Sequence, residues 1–214
     1  TAKSEDTYIL NGEEQVLMPH FTFHGFRYAA VEGIENPRPE MFTACVMHSD
    51  MRKTGEFHCS NEKVNQLQSN ISWSLRDNFF DIPSDCPQRD ERLGWMGDAQ
   101  VFSWTAAFNR ETALFFTKWM RDVSAASSLE RGVPHIVPDI QETYSSAAWS
   151  DAAVIIPWVV YQTYGDTRIL EESWKCMHEW VDYIHNHVNE NGLWMTNYQY
   201  GDWLALDREM GDKS

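Results

Sequence analysis

The spacing of apolar positions changes near residue 60. Before it, HFTFHGFRYAAV (20–31) mixes aromatics with partial alternation, and MFTACVMHS (41–49) is a second apolar run. ENPRPE (35–40) between them has the composition of a turn. Two-residue alternation bounded by turn residues predicts strands. Two or three strands make a poor domain alone. Residues 1–54 therefore read as the C-terminal part of a β-sandwich whose earlier strands precede this chain, or as a β-appendage to the region after residue 54.

From Ser60 the period is helical. Val64, Leu67, Ile71 and Leu75 predict a helix over 61–79, capped by Ser60 or Asn61. A loop over 80–97 comes next. Asp98 is the expected cap of a helix at 99–108, with Val101, Trp104 or Thr105, and Phe108 on one face. Asn109-Arg110 turns into a helix at 110–127, and 128–149 is a second long loop. Ser150 is the expected cap of a helix at 151–164, bent at Pro157. Gly165 and Asp166 make a tight turn between helices. Leu170, Trp174, Met177, Val181 and Ile184 mark a long last helix that ends before Gly192, where a third loop starts.

The order long loop, helix, short turn, helix recurs. Asp98, Asp151 and Asp202 stand 53 and 51 residues apart, and the short turns at 109–110 and 165–166 are 56 apart. Such a repeat suits a ring of antiparallel helix pairs with all long loops at one end. An irregular helical domain satisfies the same spacing. The five expected helices would be less than half of a ring of twelve.

Composition narrows the function. The chain has 214 residues, 43% hydrophobic and 14% aromatic, enough for a packed core. Its formal charge of −15 repels phosphate backbones and anionic surfaces, so no nucleic-acid partner is expected. No apolar run is long enough for a membrane span. The first residue is Thr, so the missing leader says little, and the compartment, periplasmic, extracellular or cytoplasmic, stays open. Cys45, Cys59, Cys86 and Cys176 form no CxxC pattern and read as free buried thiols. The eight histidines form no HExxH, and no metal site is expected.

The chemistry concentrates in the first long loop, which holds Asp81, Asp85, Arg89, Asp90, Glu91, Arg92, Trp95 and Asp98. Carboxylates, guanidinium groups and an indole together fit a sugar pocket, where acids bind hydroxyls and an aromatic face covers the ring. Trp149 and Trp203, near Asp151 and Asp202, lie in the other two loops. Glycoside hydrolysis needs one carboxylic acid to protonate the leaving oxygen and one carboxylate to activate water or attack. Neighbouring acids and Trp95 would raise the pKa of Glu91, while Arg89 and Arg92 would oppose this. Asp98 could equally be only a helix cap, and the charges only an ion-pair network.

The run DCPQRDERLGWMGDAQ (85–100) resembles the signature of glycoside hydrolase family 78, the bacterial α-L-rhamnosidases. FTFHGFRYAAVEG (21–33) resembles the end of the β-sandwich that precedes their catalytic domain. The resemblance implies a mainly α fold, a partial (α/α)6 barrel over residues 55–214. It implies inverting hydrolysis of terminal α-L-rhamnose from glycosides or polysaccharides, without a cofactor. By this resemblance Glu91 is the general acid. Asp85, Arg89 and Asp98 bind the rhamnose hydroxyls, and Trp95 is a pocket indole. Trp149 in AAWSDAA and Trp203 in YGDW match further pocket tryptophans. The family's general base lies on a later helix pair, beyond Ser214, so this chain alone is expected to be inactive and to self-associate through exposed barrel surface. The rivals are another (α/α)6 carbohydrate enzyme, such as an inverting glucosidase or a lyase, and a non-catalytic sugar-binding or structural fragment.

Overall fold

The computed structural model describes residues 3–204. The chain is mainly helical, with α1 (Glu62–Asn78), α2 (Met96–Asn109), α3 (Ala113–Ala126), α4 (Ala152–Tyr164) and α5 (Arg168–His187). A two-stranded antiparallel hairpin, β1 (Phe79–Phe80) and β2 (Ile82–Pro83), opens the first long loop. α2 leads into α3, and α4 into α5, through short turns, and α4 packs on α5 as well as on α2 and α3, so the expected order of helices is present.

The N-terminal runs differ from the expectation of strands. Residues 20–31 and 41–49 contain no paired strand. A strand is stabilised by its ladder, and no partner faces these runs among the described residues. Their large side chains stay exposed, Phe21 and Tyr28 among them. The segment touches the helical part at a few points. Ser49 N–H donates to the Phe79 carbonyl (2.9 Å), and Gly25 N–H donates to the Pro87 carbonyl (2.8 Å).

Helix ends obey local chemistry. The Asn61 side chain accepts from Lys63 N–H at 3.0 Å and caps α1. α2 begins before Asp98, which sits in its first turn rather than at its cap. The Met96 N–H is satisfied instead by the His135 carbonyl at 2.8 Å, a bond from the second long loop. Asp151, not Ser150, precedes α4 as its cap residue. Gly165 closes α4 at φ +67°, a conformation that favours glycine. Asp166 lies one residue before the α5 cap, yet its carboxylate accepts from Arg168 N–H. Its hydrogen bonds to Arg168 pull its pKa down to about 2.

The buried faces of two helices are shifted by about one residue from the expected ones. α2 buries Met96, Ala99, Ser103, Ala106 and Ala107, while Val101 and Phe108 point outward. α5 buries Ile169, Ser173, Cys176, Trp180 and Tyr183, while Trp174 and Val181 are exposed. The small Ala99, Ser103, Ala106 and Ala107 give α2 a face suited to close packing, chosen over the bulkier stripe beside it. α4 is apolar all round and lies centrally against α2, α3 and α5, as such a helix must. α3 contributes Phe115, Phe116, Trp119, Met120 and Val123 to the core. Two of the four cysteines, Cys86 and Cys176, are buried as expected; Cys59 is half-buried and Cys45 is exposed. All four are free.

Candidate active site

The loop between β2 and α2 is folded on itself by Asp85. Its backbone N–H donates to the Leu93 carbonyl, and its carboxylate accepts from Leu93 N–H, each at 3.0 Å. This closure brings Arg89 and Glu91 back beside Asp85. The Arg89 guanidinium reaches Glu91 Oε2 at 2.6 Å and Asp85 Oδ2 at 3.7 Å. Its Nε donates to Cys86 Sγ at 3.1 Å. Trp95 Nε1 donates to the other Glu91 oxygen at 2.8 Å. Both oxygens of Glu91 are therefore held, one by a cation and one by an indole. The Arg92 guanidinium donates to the Phe23 carbonyl and lies beside His24.

Asp85, Cys86 and Glu91 bring heteroatoms within 4.8 Å of one another. Arg89 already bonds all three residues, so its guanidinium supplies the cation there. Burial is the main cause that pushes the Cys86 thiol up, with its hydrogen bond to Asp85 second. That leaves it a poor thiolate.

Beside the cluster lies a cleft of about 440 Å³. Asp85, Asp98, Trp149 and Trp203 line it, together with Asn78 and Ser84 from the end of α1 and the hairpin. Gly97 is required here. A Cβ at this position would stand 2.9 Å from the Trp149 indole, so the helix start and the indole pack face to face only without a side chain. Asp151 fixes the turn that carries Trp149. Its carboxylate accepts from Ala148 N–H (2.8 Å) and from Trp180 Nε1 (3.0 Å), so it serves structure.

Asp98 is the acid whose ionisation is opposed. Loss of water around it raises its pKa first, and the charge of Asp85 adds to this. Its side chain keeps solvent contact while packed protein surrounds much of it. A raised carboxyl contributes stability that is complete below its ordinary value of 3.8 and is lost as pH rises through the higher folded value. Asp98→Asn is expected to melt above the wild type at about pH 7, with the gap closing in acid below that ordinary value. Thermal melts at both pH values check this.

One residue of the site was not singled out from the sequence. The Tyr200 ring contacts Trp149 (4.3 Å), His135 (4.8 Å), Trp203 (5.5 Å) and Trp95 (6.1 Å between centroids). It thus joins all three expected pocket indoles. Nothing in its spacing marks it out, although it stands three residues before Trp203 in YGDW.

The long loops of the helix pairs bring Asp85, Asp98, Trp149 and Trp203 to one cleft, while Glu91, Arg89 and Trp95 are grouped next to Asp85 and do not line it. Residues 52–214 match the model of the bacterial alpha-L-rhamnosidase 6 hairpin glycosidase domain. Residues 1–48 match that of the bacterial alpha-L-rhamnosidase concanavalin-like domain. The chain belongs to the bacterial alpha-L-rhamnosidase family. An alpha-L-rhamnosidase from Formosa agariphila is 43% identical over 99% of this chain and 23% of its own length. The structure of the Streptomyces avermitilis alpha-L-rhamnosidase complexed with L-rhamnose is 40% identical, with a TM-score of 0.70, over 73% of this chain and 15% of that one. The Aspergillus terreus enzyme is 43% identical, also at 0.70, over 76% and 19%. The chain therefore spans about a fifth of the length of these relatives.

Proposed function

We propose that this chain supplies the acid-bearing part of a site that hydrolyses terminal α-L-rhamnose from glycosides or polysaccharides with inversion. The observation that carries the reading is Glu91, held by Arg89 and Trp95 and linked through Arg89 to Asp85, which walls a cleft with Asp98, Trp149 and Trp203. Glu91 donates the proton to the leaving oxygen. Asp85, Arg89 and Asp98 bind the sugar hydroxyls, and the indoles cover its apolar face. No described residue is assigned as the base. The two family matches support a division into the end of a β-sandwich (1–54) and the first part of an (α/α)6 barrel (55–214). The outward Val101, Phe108, Leu114 and Trp174 offer apolar surface through which copies of the chain could associate.

The test is hydrolysis of an α-L-rhamnoside by a rhamnosidase containing this chain, with and without Glu91→Gln. Release of L-rhamnose that depends on Glu91 supports the reading. An unsaturated product, as a lyase would give, contradicts it.

A further inference from the structure

We propose that Tyr200, latched to the buried His135, is a positioning residue of the sugar site. It sets the arrangement of the indole walls and hence the affinity for the sugar. The proposal rests on the rhamnoside reading above.

The argument begins with His135. Its side chain is buried, only 3% of the residue remains exposed, and its Nε2 has no partner among the described residues. The Tyr200 hydroxyl stands 3.1 Å from Nδ1, a hydrogen bond in either tautomer of the ring. Leaving a second ring nitrogen unpaired would add to the cost of burying this imidazole. The bond therefore gives Tyr200 a fixed seat. Burial holds His135 down to about 4 and also raises the Tyr200 phenol, so both groups are neutral where the sugar would bind.

His135 is itself anchored at both backbone ends. Its carbonyl accepts the first N–H of α2, and its N–H donates to Thr143 Oγ1 at 3.1 Å. The latch therefore ties the third long loop, which carries Tyr200 and Trp203, to the start of the helix that carries Asp98. From that seat the Tyr200 ring meets Trp149 at 4.3 Å with a 34° tilt and Trp203 nearly at right angles, at 89°. Trp203 is more than half exposed, and among the described residues Tyr200 and Trp149 are the rings that meet it. An indole that must present its face to a sugar has to be fixed before the sugar arrives, since ordering it on binding lowers affinity.

Tyr200→Phe keeps the ring and removes the latch. Tyr198→Phe is the control, because Tyr198 also meets Tyr200, edge to face at 5.1 Å, but is largely exposed. Two measurements on a rhamnosidase containing this chain separate the outcomes. Near-ultraviolet circular dichroism without sugar should change in Tyr200→Phe, with the far-ultraviolet spectrum intact, and should not change in Tyr198→Phe. Calorimetric titration with L-rhamnose should show affinity lowered roughly fivefold in Tyr200→Phe, the scale of one neutral hydrogen bond. His135→Asn, which retains a polar partner near the Nδ1 position, should bind more tightly than His135→Leu. A role in packing alone would reverse that order. Equal affinity in Tyr200→Phe and wild type overturns the latch while leaving the sugar site standing. An altered near-ultraviolet spectrum with no sugar binding by the wild type overturns the rhamnoside reading instead.

Discussion

Glu91→Gln will slow hydrolysis of an unactivated α-L-rhamnoside by about 10²- to 10⁴-fold, the usual contribution of a positioned general acid. Glutamine preserves the size of the side chain, and its carbonyl can still accept from Trp95 Nε1 as the Glu91 carboxylate does at 2.8 Å. What it cannot do is hand a proton to the departing oxygen. The ion pair with Arg89 at 2.6 Å is lost as well, but Arg89 retains Asp85 and Cys86. The variant should therefore fold normally. The size of the loss should depend on the leaving group. A p-nitrophenyl rhamnoside departs as a stabilised phenolate and needs little protonation, so its hydrolysis should fall far less than that of a sugar-linked rhamnoside. Parallel kcat measurements on the two substrates check this. Equal losses on both would mean that Glu91 acts in some way other than as the acid.

Trp119→Ala will cost about 3–5 kcal/mol of folding free energy, the range for truncating a buried tryptophan. Trp119 is fully buried on α3 and belongs to the main apolar cluster. Its Nε1 also donates to the Val137 carbonyl at 3.1 Å, so truncation leaves both a cavity and a buried oxygen without that donor. A domain of ordinary stability, about 5–15 kcal/mol, would lose a large share. The damage should reach the site. Val137 N–H donates to the Gly94 carbonyl, and Ile136 bridges Trp95, so the backbone that Trp119 supports also carries the indole bound to Glu91. Urea unfolding should show a lower midpoint with an unchanged slope. A loss under about 1 kcal/mol would show that the core does not depend on this indole.

Much of this arrangement can be read along the chain, and the parts that cannot have a common cause. The order of helices comes from apolar period, and Gly165 stands where the sequence predicts a turn. The apolar faces of α2 and α5 do not come so directly. Periodicity ranks side chains by hydrophobicity, whereas close packing on α2 selected Ala99, Ser103 and Ala106 over Val101 and Phe108. Strands at 20–31 and 41–49 need partners, and local pattern cannot supply them. In the site, the motif itself brought Asp85, Arg89, Glu91 and Trp95 together, because those contacts span only a few residues. The Tyr200–His135 bond spans 65 residues and depends on how two loops meet, so nothing local announced it.

The most direct measurement of the central claim is proton NMR of a rhamnosidase containing this chain as it cleaves an α-L-rhamnoside, recording which sugar anomer appears first. A single displacement with Glu91 as acid predicts β-L-rhamnose first, before mutarotation mixes the anomers. First appearance of α-L-rhamnose would contradict it.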